Sequence, residues 1–288
     1  MALPGMLVDP RWLRAQPSSS ALVIADVRWV PGGHAAESFA PGHLPGAVCV
    51  DLEEDLAAPA SRGPGRHPLP QPVDFAATMS RLGVGDETSV VAYDDQGGWI
   101  AARLWWMLRV LGRDIALLDL PSLEGWTAAG GTLETGSPRA VRPASFTPAP
   151  WPADLLADAD EVARVVRAGS GPVLDARAGE RYRGEVEPID PVAGHIPGAV
   201  SADRAGDLDD DGHLLDPDAL RRRYEALGVV KGGEAVSSCG SGVAATFTLF
   251  AIERAGLGLA RLYEGSWSDW VSDGSRPIAT GAEPGISP

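Results

Sequence analysis

The sequence predicts an α/β protein made of two tandem copies of one domain, each a parallel sheet covered by helices on both faces. Short apolar runs alternate with stretches of helical length, which is the pattern of a parallel sheet with crossover helices. The chain also repeats its motifs at offsets of 144 to 152 residues, and a repeat of this size indicates a duplicated domain. Its 288 residues suffice for two domains that each bury a core.

Four pairs of segments carry the repeat. They are residues 23–28 with 173–177, 42–48 with 194–200, 82–84 with 227–229, and Trp126 with Trp270. Between the copies, residues 137–152 contain five prolines, which disfavour both helix and central strand. We therefore predict an inactive first domain over residues 1–136, a linker over 137–152 and a catalytic second domain over 153–288.

The predicted elements follow in chain order. In the first copy, residues 47–50 and 89–93 are predicted strands and residues 99–111 a helix. In the second copy, residues 235–238 are a predicted strand and residues 243–255 a helix. Gly112 and Gly256 directly follow the two helices, where glycine commonly ends a helix. Aligning residues 82–84 with 227–229 places Asp94 opposite Cys239, so the second copy alone carries a thiol at this position.

Cys239 lies where an apolar strand enters a turn of small residues that leads into a helix. Backbone N–H groups of such a turn can surround the sulfur, and the positive end of the helix adds to their field, so the thiol pKa is expected to fall. Cys239 is the predicted nucleophile, in a loop formed with Gly240, Ser241, Gly242, Val243 and Ala244. The alternative is a buried cysteine acting as a small apolar residue, which is our expectation for Cys49 in its apolar strand.

Composition limits the partners. The formal net charge of −15 argues against nucleic acid and anionic membranes as partners, so an anionic substrate must meet a local cluster of arginines. Two cysteines in different halves indicate a reducing compartment. The N-terminus has no signal-peptide pattern and no apolar stretch is long enough to span a bilayer, so we expect a soluble cytoplasmic protein.

Several motifs together resemble a known family. They are residues 26–29, the two Gly-His-x-Pro-Gly-Ala segments, 181–184, 239–243 and 265–270. Over nearly the whole chain they are similar to the tandem-domain rhodanese-like sulfurtransferases, with 3-mercaptopyruvate sulfurtransferases as the nearest subclass. The resemblance implies an inactive first and an active second rhodanese fold, a thiol that cycles through a persulfide, and no cofactor or metal. The motifs of His43 and His195 are interpreted as turns that lead into strands, and Trp267 and Trp270 as wall and core.

The residues after the cysteine bear on the sulfur donor. Family members that prefer thiosulfate, a compact dianion, resemble one another in placing Arg and Lys there, whereas this chain has Gly240 and Ser241. The Cys-Gly-Ser-Gly-Val loop is similar to that of 3-mercaptopyruvate sulfurtransferases, so 3-mercaptopyruvate is the expected donor and thiosulfate the alternative. The acceptor is expected to be cyanide, a small thiol or a thioredoxin-type protein.

Arginines in the second copy are candidates for binding the donor carboxylate. The resemblance assigns this role to Arg183, with surface pairing to Glu185 or Glu187 as the alternative. Relatives carry a second arginine a few residues on, which the shorter segment 187–191 lacks. Arg181 is the nearest replacement.

Two further positions complete the predicted site. The resemblance places His67 near the cysteine together with an upstream acid, for which Glu53 and Asp51 both remain open, and an exposed histidine without a role is the alternative. Ser241 either orients the donor and relays a proton or merely fits a tight turn.

Three other functions compete with sulfur transfer. Residues 240–245 match the dinucleotide pattern G-x-G-x-x-A, but they follow a late strand and no ribose-binding acid is evident. A cysteine phosphatase needs an arginine that closes its loop, and residues 243–246 have none. A non-catalytic binding or sulfur-carrier module remains open, because Asp94 indicates that this fold can lose its nucleophile.

Overall fold

The structure is a computed structural model that describes residues 2–17, 19, 21–230 and 235–285. It divides into two compact units. Unit 1 comprises Met1–Ala58 and Leu69–Trp151, and unit 2 comprises Pro59–Pro68 and Pro152–Pro288.

Unit 1 is a five-stranded parallel sheet with its helices. The strands are β1 (Leu7–Val8), β2 (Leu22–Arg28), β3 (Val48–Asp51), β4 (Ser89–Tyr93) and β5 (Ile115–Leu118). The helices are α1 (Pro10–Arg14), α2 (Ala35–Phe39), α3 (Leu52–Asp55), α4 (Pro72–Arg81), α5 (Ala101–Val110) and α6 (Ser122–Ala128). The strand order is β1-β5-β4-β2-β3 with every pair parallel. Because parallel crossovers are right-handed, connections that run in opposite directions along the sheet lie on opposite faces.

Unit 2 repeats this arrangement. Its strands are β6 (Leu156–Ala157), β7 (Val173–Asp175), β8 (Val200–Ser201), β9 (Val236–Ser238) and β10 (Arg261–Tyr263). Its helices are α7 (Ala159–Ala168), α8 (Gly179–Tyr182), α9 (Pro217–Ala226), α10 (Ala245–Arg254) and α11 (Ser266–Trp270). The order β6-β10-β9-β7-β8 is that of unit 1, strand for strand. The predicted α/β duplication with parallel sheets is confirmed.

Most predicted elements lie within a few residues of their expected bounds. Strand β4 begins and ends as predicted, and β9 lacks only Ala235. Helix α5 begins at Ala101, two residues later than predicted, and the N–H groups of Ile100 and Ala101 donate to the carboxylate of Asp94.

The unit boundaries differ from the predicted domain boundaries. Residues 59–68, expected in the first domain, belong to unit 2, and nearly all of the expected linker 137–152 belongs to unit 1. The proline-rich linker forms neither helix nor strand, but it packs: Phe146 is buried and meets Phe75 edge-on. The indole N–H of Trp151 donates to the Pro70 carbonyl at 2.9 Å. Packing, which composition does not reveal, decides where each unit ends.

The two histidine motifs are turns. Nδ1 of His43 lies 3.1 Å from the carbonyl of Phe39, and Nδ1 of His195 lies 2.8 Å from that of Tyr182. Both rings are buried, and β3 or β8 follows within a few residues. Trp267 and Trp270 belong to the buried core of unit 2. Among the described residues, no helix combines the length and the apolar character needed to cross a bilayer.

Candidate active site

Cys239 lies at the carboxyl end of β9, the central strand of unit 2. Strand β9 ends at Ser238, and α10 begins at Ala245, so residues 239–244 form the loop between them, hereafter the Cys239 loop. Ligands of open parallel sheets bind at this edge, where loops from neighbouring strands meet. Cys239 is 3 % exposed and forms no disulfide.

Residues at the start of α11 hold the first part of the loop. The backbone N–H of Cys239 donates to the hydroxyl of Ser266 at 3.0 Å. The N–H groups of Trp267 and Ser268 donate to the carbonyls of Cys239 and Gly240, each at 3.0 Å. Ser266 is the one non-glycine residue with a positive φ in the described chain, at 54°. Such strained conformations persist where the surroundings fix them, often at functional sites.

The two loop glycines serve different purposes. Gly242 has a φ of 77°, and a Cβ there would lie 2.2 Å from the carbonyl oxygen of Glu264. Only glycine fits this approach without strain. Gly240 does not have a positive φ, and a Cβ on it would face guanidinium groups rather than backbone.

His67 reaches the Cys239 loop from the Pro59–Pro68 segment, hereafter the strap. Its Nδ1 lies 2.7 Å from Oγ of Ser241, and both side chains are buried. A neutral imidazole can accept the hydroxyl proton of a serine, which places the pair in the geometry of a proton relay. The structure therefore brings together two residues that the sequence analysis could only nominate separately.

Close contacts anchor the strap within unit 2. Gly65 has a φ of 72°, and a Cβ there would lie 2.4 Å from the carbonyl oxygen of Gly265. The N–H of Arg66 donates to the hydroxyl of Ser268 at 3.1 Å. The strap thus packs against α11, the same element that holds the Cys239 loop.

Two arginines flank the Cys239 loop at Gly240. A Cβ placed on Gly240 would lie 3.1 Å from NH2 of Arg66 and 3.6 Å from both terminal nitrogens of Arg181. Arg181 is the position named in the sequence analysis as a replacement clamp. Arg66 was missed there, and its adjacency to His67 in a glycine-rich segment was the one available signal.

Two buried acids hold these arginines. Asp190 pairs with Arg66 and lies 3.5 Å from NH2 of Arg181, while Glu187 pairs with Arg181 at 2.6 Å. Burial raises the pKa of Asp190, although the charges of Arg66 and Arg181 oppose this. Burial also acts to raise the pKa of Glu187, but hydrogen bonds from Arg181 and from the N–H groups of Asp190 and Ile189 outweigh it and lower the pKa.

Arg177 supplies a third, deeply buried cation. It forms a bidentate pair with Asp175, its NH2 donates to the Gly194 carbonyl at 2.7 Å, and its guanidinium carbon lies 4.8 Å from the Trp267 ring centroid. Burial acts to lower the pKa of Arg177, but Asp175, followed by Glu187 and Cys239, raises it. Its hydrogen bonds to Asp175 and Gly194 fix the carboxyl end of β7, the strand next to β9.

The other predicted site residues make contacts outside the Cys239 loop. The guanidinium of Arg183, the predicted carboxylate clamp, makes a two-point pair with exposed Glu185 at 2.8 Å, which is the surface alternative of the sequence analysis. Arg181 lies in the single turn of α8 and Arg183 caps its carboxyl end two residues later, so the two side chains point to different sides. Glu53 lies in unit 1, where it accepts from the indole N–H of Trp29 at 2.9 Å.

The equivalent loop of unit 1 holds a carboxylate. Asp94 follows β4 as Cys239 follows β9, and its two oxygens accept four backbone N–H groups, from Gln96, Gly98, Ile100 and Ala101, at 2.7–2.9 Å. Burial raises the pKa of Asp94, and these four hydrogen bonds act in the opposite direction. The loop between central strand and helix is thus an anion-binding loop, which in unit 1 is occupied by its own side chain.

One group of described residues has the spacing of metal ligands. His34, Asp51 and Glu54 lie at the surface of unit 1. The carboxylate of Asp51 already caps α3 through the N–H groups of Glu53 and Glu54. The group involves no residue of the Cys239 loop.

Known proteins resemble the chain over nearly its whole length. The model of the rhodanese-like domain family matches residues 9–129 and 158–273. A probable 3-mercaptopyruvate sulfurtransferase of Pseudomonas aeruginosa is 44% identical, over 96% of this chain and 98% of that protein. A putative thiosulfate sulfurtransferase of Mycobacterium tuberculosis, SseB, is 42% identical over 90% of each chain. The crystal structure of SseA from Escherichia coli, described as a 3-mercaptopyruvate sulfotransferase, is 31% identical with a TM-score of 0.78, covering 91% of this chain and 99% of that one.

Proposed function

Because the chain belongs to the rhodanese-like family, we propose that it is a 3-mercaptopyruvate sulfurtransferase whose nucleophile is Cys239. One observation carries the assignment of the site. The buried thiol follows the central strand in a loop that is flanked by two arginines and by a serine–histidine pair. This set supplies a nucleophile, an anion clamp and a proton relay around one loop.

The reaction transfers one sulfur atom. The Cys239 thiolate attacks the thiol sulfur of the donor, an S–S bond forms, and the C–S bond breaks with its electron pair left on carbon. The departing pyruvate enolate takes up a proton at carbon. A thiolate acceptor, either a small thiol or a thioredoxin-type protein, or cyanide then attacks the outer sulfur and returns Cys239 as the thiolate.

Backbone N–H groups stabilise the negative sulfur. At the offset of 145 residues, three of the N–H groups that bind Asp94 correspond to those of Ser241, Val243 and Ala245, whereas the fourth, that of Thr246, donates to the Val243 carbonyl at 3.0 Å. A loop that surrounds a carboxylate in one copy supports the same role toward thiolate and persulfide in the other. Such donors act by electrostatic preorganisation, because they are already oriented before charge develops.

Arg66 and Arg181 bind the donor carboxylate. Both guanidinium groups lie beside Gly240, and planar guanidinium groups can bind a carboxylate through two hydrogen bonds each. In this proposal they replace Arg183. The hydroxyl of Ser241, hydrogen-bonded to His67, lies one residue farther along the loop and serves the keto oxygen or the proton that the enolate takes up.

Thiosulfate is the second candidate donor. The Mycobacterium tuberculosis relative is described as a putative thiosulfate sulfurtransferase. Residues 240 and 241 are uncharged, but Arg66 and Arg181 lie beside Gly240, so a donor at the Cys239 loop meets two positive charges. Steady-state sulfur transfer to cyanide from each donor, on one preparation, distinguishes the two.

The decisive experiment follows the persulfide by intact-protein mass spectrometry. After exposure to 3-mercaptopyruvate, the wild type should gain about one sulfur atom, roughly 32 Da, at Cys239, and the Cys239→Ser variant should gain none and lose turnover. Cys49→Ser is the matched control and should behave as the wild type, since burial raises the pKa of the Cys49 thiol to about 12 and keeps it protonated. Persulfide formation without turnover in the presence of a thiol acceptor would instead indicate a sulfur carrier.

A further inference from the structure

The cations beside the Cys239 loop are balanced by acids. The described network contains three arginines and three carboxylates: Arg66, Arg177, Arg181, Asp175, Asp190 and Glu187. A clamp of two unpaired arginines would favour a dianion. A clamp whose charges are already offset favours a donor that carries a single negative charge.

We propose that Asp190 determines donor specificity, by offsetting the charges of Arg66 and Arg181 so that the site accepts a monoanionic donor better than a dianionic one. The inference rests on the proposed function and names the residue that selects between its two candidate donors. Donor specificity is then set by a carboxylate far from the Cys239 loop in sequence, and not by residues 240 and 241 alone.

The contacts of Asp190 support this role. Its Oδ1 pairs with Arg66 and its Oδ2 faces Arg181, so one carboxylate contacts both guanidinium groups that lie beside Gly240. The carboxylate is 3% exposed, so water screens its charge poorly. An anion bound by the two arginines therefore experiences the negative charge of Asp190, which contacts both of them.

Glu187 also stabilises the backbone of its own segment, which Asp190 does not do in the described contacts. Besides pairing with Arg181 and Arg177, it accepts the N–H groups of Ile189 and Asp190 at 3.1 Å each and so holds the turn of its own segment. Removing the charge of Glu187 would disturb the backbone as well as the field. Asp190 is the cleaner position at which to change charge alone, because an asparagine there keeps an oxygen for Arg66.

Donor selectivity tests the proposal. We would measure kcat/KM for thiosulfate and for 3-mercaptopyruvate, with cyanide as acceptor, in the wild type, in Asp190→Asn and in Glu185→Gln. The last variant makes the same chemical change at an exposed carboxylate that pairs with Arg183. We expect the ratio of kcat/KM for thiosulfate to kcat/KM for 3-mercaptopyruvate to rise at least about tenfold in Asp190→Asn, because in the wild type the Asp190 charge repels the extra negative charge of the dianion. In Glu185→Gln the same ratio should stay within about twofold of the wild-type value.

Other outcomes would contradict either the role of Asp190 or the proposed function. An unchanged ratio in a folded Asp190→Asn protein, or an equal loss with both donors, would reduce Asp190 to a positioning residue and overturn the inference while leaving sulfur transfer intact. If the wild type used neither donor, the proposed function itself would be wrong. Should Asp190→Asn fail to fold, the same ratio in Glu187→Gln decides, since it removes the other charge that offsets Arg181.

Discussion

Replacing Gly242 by alanine should disable the Cys239 loop. The new Cβ would lie 2.2 Å from the carbonyl oxygen of Glu264, whereas ordinary contacts begin near 3.4 Å, so backbone must move by more than 1 Å. A left-handed conformation costs alanine about 1–2 kcal/mol. With the clash added, we expect a loss of stability on the order of 2–4 kcal/mol, which corresponds to a fall in Tm of roughly 4–16 °C.

Activity should fall further than stability alone explains. A displacement of about 1 Å at a reacting group can lower the rate on the order of 100-fold, and Gly242 lies three residues from Cys239. The assay is kcat/KM for 3-mercaptopyruvate at a temperature well below the Tm of the variant. Circular dichroism at that temperature shows whether the variant is folded when its rate is measured.

Gly240→Ala is the matched control for stability. Gly240 does not have a positive φ, and the nearest atom to its new Cβ is the tip of the flexible Arg66 side chain at 3.1 Å. Its stability should change by less than about 1 kcal/mol. If Gly242→Ala matched Gly240→Ala in Tm, the close approach of the loop to Glu264 would not be a constraint on this fold.

Two further predictions concern other groups of unit 2. Arg181→Ala should lower kcat/KM for 3-mercaptopyruvate by about 30- to 1000-fold, since it leaves the carboxylate of the donor unpaired. In Arg183→Ala, kcat/KM should stay within about twofold of the wild type, because the partner of Arg183, Glu185, is exposed. The reverse result would assign the binding of the donor carboxylate to Arg183. Burial raises the pKa of Asp207 to about 6, so the folded state binds this proton more tightly than the unfolded state does. The free energy of unfolding should therefore fall by up to about 3 kcal/mol as the pH rises from about 4 to 6. The difference between wild type and Asp207→Asn in urea unfolding isolates this contribution, and parallel pH curves would contradict it.

The fold followed from the sequence because its signals are local and occur twice. The apolar runs 89–93 and 235–238 are predicted strands, one in each copy, and the alignment of residues 82–84 with 227–229 pairs Asp94 with Cys239. The structure places both residues at the end of the central strand of their sheets. The repeat therefore predicted the duplicated parallel-sheet fold, whereas the strand order came from the structure.

The strap could not be predicted in the same way. Residues 59–68 have no helical or strand period, and their contacts connect positions far apart in sequence, such as Arg66 with Asp190 and His67 with Ser241. The choice between Arg181 and Arg183 could not be made from the sequence for a related reason. On a single helical turn two residues two positions apart face different directions, and the sequence does not say which direction the Cys239 loop occupies.

Unit 1 shows what the loop after the central strand can bind. In unit 1 the loop after the central strand directs four N–H groups at two carboxylate oxygens, and the carboxylate belongs to Asp94 itself. In unit 2 the residue at this position is Cys239, whose uncharged thiol would leave such donors without an anion. The donors are matched when the sulfur carries negative charge, as thiolate or as persulfide. The loop after the central strand therefore binds a carboxylate in unit 1, and we expect its N–H groups in unit 2 to act on the sulfur of Cys239 in the same way.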